Sequence, residues 1–333
     1  MDFGEIELTI NFFLIVMILA RRGLIARPTG MNKFEKEATV PLRALLAYCV
    51  ITTHIPPFEH LELGTIAVSV FFFMSGYGML KSYQKAGACY LMGHARRHFL
   101  KLMIPYFVCA IPWCARMLIG CKSGTGQPYG WEFIANAAAK GDMSWLLPNS
   151  WFPWILLFVG FVASIALRCG KVGKYIIILS VLAAYYWLVR YCLVWPHWWW
   201  FSIWAFPVGF VYADVERKVE HFVIGGKMLI IGGVVSLIVD GLLFKFCPMA
   251  FHAFTGVFVA VFIGACPLPR WKWLVFLGSI SYEIYLVHGA VYATLKRVGV
   301  PLSAAVVLTY VMVPLVAYVV NRISAKIMAG VRR

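Results

Sequence analysis

Residues 41–54 read Pro41-Leu42-Arg43-Ala44-Leu45-Leu46-Ala47-Tyr48-Cys49-Val50-Ile51-Thr52-Thr53-His54, an apolar helix-forming stretch that carries one arginine and one histidine. At about 100° per residue, the step from Arg43 to His54 returns the second side chain to within about 20° of the first, after a rise of roughly 16 Å. The two share one face and stand about half a bilayer apart. An ionisable group inside a spanning helix costs about 2.5–3.5 kcal/mol on insertion scales, so two on one stripe predict a polar cavity that crosses the membrane. Such a helix belongs to a bundle with lipid outside and polar chemistry within.

Composition agrees. Of 333 residues, 62% are hydrophobic and 13% charged, and the mean hydropathy is +0.80, which excludes an ordinary soluble domain. Apolar runs predict spans near 6–20, 38–55, 64–80, 102–119, 151–167, 174–194, 199–213, 228–244, 249–266, 273–292 and 301–320. The expected fold is therefore all-α, a polytopic transmembrane helix bundle of about 11 helices. The first run is not read as a cleavable signal. Asp2, Glu5 and Glu7 precede it where a basic segment belongs, and Arg21 and Arg22 follow it, so it is expected to span with its N-terminus outside.

The net charge of +16 would suit nucleic acid if it formed one patch, but it does not. Lysine and arginine gather in alternate loops: Arg21 to Lys36, Lys81 to Lys101, Arg168 to Lys174, Arg217 to Lys227, Arg270 with Lys272, and Arg322 to Arg333. The intervening loops hold few, among them Lys122, Lys140 and Lys245. Charge bias of this kind places the C-terminus in the cytoplasm and the 120–150 loop outside. Arg43 then faces the inner side, His54 the outer, and no nucleic-acid partner is expected.

Most of the nine cysteines fall within predicted spans, where they act as small apolar residues. Cys121 and Cys247 both fall in loops expected outside, where a disulfide is open to them but a free pair is the plainer reading. No Cys-x-x-Cys pair, metal-ligand spacing or glycine-rich nucleotide motif occurs. The tail after Asn321 is about a dozen residues, so no soluble catalytic domain is expected.

Four motifs in order give the chain a family likeness. Arg43 and His54 are separated by ten residues. Phe72-Phe73-Met74-Ser75-Gly76-Tyr77 follows, then Arg96-Arg97-His98-Phe99-Leu100-Lys101 leading to Pro105-Tyr106, and finally Ser281-Tyr282-Glu283-Ile284-Tyr285-Leu286-Val287-His288. The chain resembles the membrane-bound acyltransferase 3 family, whose members O-acylate extracytoplasmic sugars. The likeness runs from about Leu42 to about Val320 and implies a ten-helix core at 38–333, with residues 1–37 adding an N-terminal helix and a basic cytoplasmic loop. Two positions depart from the family pattern. Tyr77 stands where Phe is usual, and Lys101 where Arg is common, which would turn a bidentate phosphate fork into a point charge.

The resemblance implies an enzyme of the cell membrane, taking an acyl group, most simply acetyl, from cytoplasmic acyl-CoA to a hydroxyl of a cell-surface or lipid-linked glycan, with no tightly bound cofactor. Such chemistry needs a base or a nucleophile and a cation for the anionic donor. His54 suits either of the first two roles, with an interfacial snorkelling histidine as the plainer reading. Arg43 cannot act as a base and must bind something, either a carboxylate in the bundle or the donor's phosphates. Arg96, Arg97 and Lys101 are candidates for donor phosphates, or for lipid headgroups. Ser281, Tyr285 and His288 fall on one stripe, expected to face a common cavity with Ser75, and His288 to reach the level of His54. Tyr282 and Tyr285 are candidate oxyanion donors. Glu283, about 200° from Ser281, is expected to face other helices and pair with an arginine such as Arg116 or Arg190. Trp151, near the aromatic-rich 195–201 stretch, suits sugar stacking or the interfacial belt. A transporter or flippase of a glycan precursor, and a non-catalytic partner of a polysaccharide synthase, stay open as alternatives.

Overall fold

In lipid, unpaired backbone groups have no water to satisfy them, so long apolar runs resolve as helices. The computed structural model describes residues 36–56, 63–91, 93–122, 130–223, 256 and 268–331, and every regular element among them is helical. The spans expected at 6–20, 228–244 and 249–266, Cys247 and the side chain of Cys121 lie outside the described residues.

In chain order the helices are α1 (Lys36–Thr53), α2 (Leu63–Ala86), the short α3 (Ala88–Leu91), α4 (His94–Lys122), α5 (Trp131–Ala139), α6 (Trp151–Ala166), α7 (Gly170–Trp187), α8 (Ala205–Val223), α9 (Lys272–Ser279), α10 (Ser281–Arg297) and α11 (Leu302–Val331). A π-helical turn, Leu188–Cys192, ends α7, and 3-10 turns occupy His197–Trp199 and Ser202–Trp204. By length and composition, four helical stretches among the described residues are able to cross a membrane, or five if the broken pair α9 and α10 counts as one. α1 and α6 supply two shorter apolar helices. The run predicted at 199–213 is two tight turns followed by a helix that continues to Val223, and the run predicted at 273–292 is interrupted at Ile280. Large apolar side chains such as Ile111, Phe161, Ile176, Val307, Leu315 and Val319 stand exposed, which suits a lipid-facing surface.

The chain divides into two compact units, Met1–Lys85 with Phe201–Ser281, and Ala86–Trp200 with Tyr282–Arg333. Helices in lipid gain little from apolar burial and associate through close backbone approach. In the first unit this happens twice. Gly278 of α9 lies against the Val40 carbonyl of α1, where any Cβ would collide with it. Gly76 of α2 meets the Phe206 carbonyl of α8 while Gly209 of α8 meets that of Phe73, a reciprocal contact in which each helix supplies the glycine the other needs. Phe72 and Phe73 are wholly buried beside it. In the second unit α4 packs on α6 and α11, and α6 on α7.

Candidate functional site

Arg43 sits in the first half of α1, half-buried, and its Nη2 donates to Thr39 Oγ1 one turn back at 3.1 Å. No carboxylate pairs with it among the described residues. The helix is continuous from Arg43 to Thr53, as a shared face for Arg43 and His54 requires, and His54 is the first residue past its end. There the turns tighten: His54 N donates to Ile51 O at 3.0 Å and Ile55 N to Thr52 O at 3.2 Å. Thr53 clasps this end to α2, donating to Cys49 O at 3.1 Å and accepting from Gly64 N at 2.6 Å. His54, half-buried, is thus held on a fixed corner before Pro56 rather than on a fraying terminus.

The Phe72–Tyr77 motif serves packing. Ser75 donates to Phe71 O on its own helix at 2.8 Å, and Gly76 provides the close approach to α8. Tyr77, the residue that departs from the family pattern, has a specific partner: its hydroxyl donates to Glu216 Oε1 at 2.8 Å, and Glu216 Oε2 pairs with Lys81 at 2.6 Å. Gln84 adds a bond to Asp214 at 2.5 Å. Glu216 is buried, so the lysine and the phenol together supply the charge and donors a buried carboxylate needs.

In the second unit, Arg96, Arg97 and Lys101 are all exposed on the first turns of α4. Arg97 Nη2 reaches Tyr90 O at 3.4 Å. Two histidines interleave with these cations. His94 lies 4.2 Å from the Tyr90 ring and 5.5 Å from that of His98, and His98 Nε2 is 3.3 Å from Leu156 O across the α6 glycine, Gly160. The spacing Tyr90, His94, His98 was the available signal for this stacked column, and the sequence reading passed over it.

Several polar groups of α10 are bonded within the protein, though His288 Nε2 and the Tyr292 hydroxyl, both buried, make no hydrogen bond among the described residues. Tyr282 donates to Leu102 O at 2.8 Å and Tyr285 to Asn149 O at 2.6 Å. Both hydroxyls expected to face an oxyanion therefore already hold backbone carbonyls. His288 Nδ1 bonds Tyr285 O, one turn back; a carbonyl only accepts, so the proton is on Nδ1 and the neutral ring's lone pair is on Nε2. Ser281, Glu283, Tyr285 and His288 are buried. Glu283 faces another helix, but its partner is Asn321 Nδ2 of α11 at 2.8 Å, not an arginine. Arg116 instead donates to Thr294 Oγ1 at 2.7 Å and lies over the Trp113 ring, and Arg190 lies against Tyr186, Tyr191 and Trp200. Trp151 is half-buried at the start of α6. Ser281 closes the first unit and Tyr282 opens the second. Arg43, His54, Ser75 and Ser281 therefore belong to one unit, and the other candidates to the second. Among the described residues, no group of three or more His, Cys, Asp or Glu is arranged to hold a metal ion.

A family model described as an acyltransferase domain, that of the acyltransferase 3 family, matches residues 34–322. The chain belongs to that family. No curated protein and no solved structure matches it. With its apolar spanning helices, this acyltransferase 3 chain is a membrane acyltransferase. The match begins just before α1 and ends within α11, so it includes the Arg43–His54 helix, the basic start of α4 and the whole α10 stripe.

Proposed function

We propose that this protein is an integral-membrane O-acyltransferase that carries an acyl group, most simply acetyl, from cytoplasmic acyl-CoA to a hydroxyl of a cell-surface or lipid-linked glycan. The observation that carries the reading is Arg43. A permanent cation part-way along an apolar helix, bonded to a neutral hydroxyl and to no carboxylate among the described residues, is electrostatically unfinished, and an anionic ligand completes it. Acyl-CoA supplies phosphates, and the exposed Arg96, Arg97 and Lys101 suit the same donor.

His54 performs the transfer in one of two balanced ways. As a base it takes the hydroxyl proton while the sugar oxygen attacks the thioester carbonyl; the C–S bond breaks and the proton passes to the CoA thiolate. As a carrier its ring nitrogen attacks first and releases CoA, and the sugar hydroxyl then takes the acyl group from the imidazole. In the second unit, Tyr282, Glu283, Tyr285, His288 and Trp151 are assigned to the acceptor side.

The mass of surface glycan from cells with and without the intact gene tests the proposal. Loss of a mass equal to an acyl group, with export unchanged, supports it; loss of export itself supports a transporter instead. Sidedness is tested by a cysteine at Ser123, expected to react with an impermeant thiol reagent in intact cells, and one at exposed Lys326, expected to react only after permeabilisation. Cys121 is replaced in both.

A further inference from the structure

Six rings of the second unit form an unbroken line. Centroids lie 5.6 Å apart from His288 to Tyr285, 5.3 Å from Tyr285 to Phe152, 6.2 Å from Phe152 to Trp151, 6.3 Å from Trp151 to Trp199 and 4.7 Å from Trp199 to Trp195. Phe152, Tyr285 and Trp199 are buried, whereas Trp151 and Trp195 are half-buried. The line is thus buried at its His288 end and partly open at two indoles, Trp151 and Trp195, with buried Trp199 between them.

An interfacial belt also uses tryptophans, but a belt residue is placed by its polar N–H, which reaches toward headgroups and water. Here the N–H groups of Trp195, Trp199 and Trp200 point back into the protein. Trp195 Nε1 donates to Ala139 O at 3.0 Å, Trp199 Nε1 to Gly141 O at 2.7 Å and Trp200 Nε1 to Trp195 O at 3.3 Å. What Trp195 presents outward is ring, not donor. Its plane is also fixed, because a Cβ on Gly141 would stand 2.8 Å from the Trp195 ring.

Backbone strain marks the same place. Among the described residues, the non-glycine positions with left-handed φ are Asn149 at 57° and Val194 at 53°. For a β-branched residue this is a true outlier. Val194 immediately precedes Trp195, and Asn149 lies two residues before Trp151 with its carbonyl held by Tyr285. Strained backbone persists where its surroundings over-determine it, and it collects at ligand-binding positions.

We infer that Trp151 and Trp195 form a stacking platform for sugar rings of the acceptor beyond the one that is acylated, so that the enzyme takes an oligosaccharide or longer glycan in preference to a lone monosaccharide. The inference rests on the acyltransferase reading above. Sugar rings carry a C–H face whose partial positive charge suits the negative face of an indole, and a row of fixed faces binds successive rings without demanding one hydroxyl pattern.

The test uses the purified full-length protein, acetyl-CoA, and surface glycan from cells lacking the gene, cut and sized into monosaccharide, short oligosaccharide and polymer fractions. Trp195→Ala is expected to raise KM for the two longer fractions about tenfold while moving the monosaccharide value less than about twofold. Trp195→Phe, which keeps a ring but loses the bond to Ala139 O, is expected to fall between. An equal change for all sizes, or none, overturns the platform. Calorimetric titration of the same fractions separates this inference from its premise. Affinity that rises with length in the wild type and not in Trp195→Ala upholds the platform even if no acyl group is transferred. Length-independent binding in the wild type overturns it.

Discussion

α1 and α10 are both apolar helices with a polar stripe, and the structure treats them oppositely. On α10 four polar side chains have protein partners: Tyr282 holds Leu102 O, Tyr285 holds Asn149 O, His288 Nδ1 holds Tyr285 O, and Glu283 holds Asn321. The buried Tyr292 hydroxyl and His288 Nε2 make no hydrogen bond among the described residues. On α1 the guanidinium of Arg43 has one neutral hydroxyl from its own helix, although the same unit neutralises Lys81 with a buried glutamate. Equal periodicity therefore conceals unequal bonding. A stripe bonded mainly to other elements of the protein braces the fold, whereas a cation with no counter-charge among the described residues is set to receive one.

Four tests sharpen or break this contrast. The largest structural effect is expected from Gly278→Leu, because a side chain there meets the Val40 carbonyl beside Arg43. The loss should reach or pass about 3 kcal/mol, the upper part of the usual range for overpacking, read as lower thermal stability in detergent and poor accumulation. Arg43→Gln is expected to leave accumulation near wild type while weakening acyl-CoA binding about ten- to a hundredfold, the value of a hydrogen bond to a charged group; unchanged CoA affinity would return Arg43 to a structural role. Asn321→Ala should cost about 1–3 kcal/mol by stranding buried Glu283, with Glu283→Gln much milder; matching losses would deny that α10 is braced this way. The smallest effect belongs to the paired change Arg96→Gln and Arg97→Gln. Both side chains are exposed, so CoA affinity should fall only roughly threefold to tenfold with insertion unchanged.

Much of this was legible in the sequence. Four motifs in order carry the family, and the apolar run around Arg43 carries the helix that ends at Thr53. What escaped was long-range pairing and local breaks. Tyr77 departs from the family's usual Phe, and the reason for its hydroxyl is not legible locally, because its partner Glu216 lies 139 positions away and no helical period connects the two. The run at 273–292 reads as one span because Gly278, Ser279 and Ile280 are tolerated inside apolar helices, whereas the structure breaks it at Ile280, two residues after the close approach of Gly278 to α1. The apolar run ends near 213, yet α8 continues to Val223, with Gln84, Tyr77 and Lys81 bonding the carboxylates of Asp214 and Glu216. Glu283 was given an arginine where Asn321 serves, since charge suggests a charged partner and geometry chose an amide.

The central claim is that transfer runs through His54. It is tested most directly by His54→Ala in the full-length protein, measuring acyl groups on surface glycan by mass alongside the amount of protein in the membrane. The expected result is complete loss of acylation with normal accumulation. Wild-type acylation in that variant would contradict the claim.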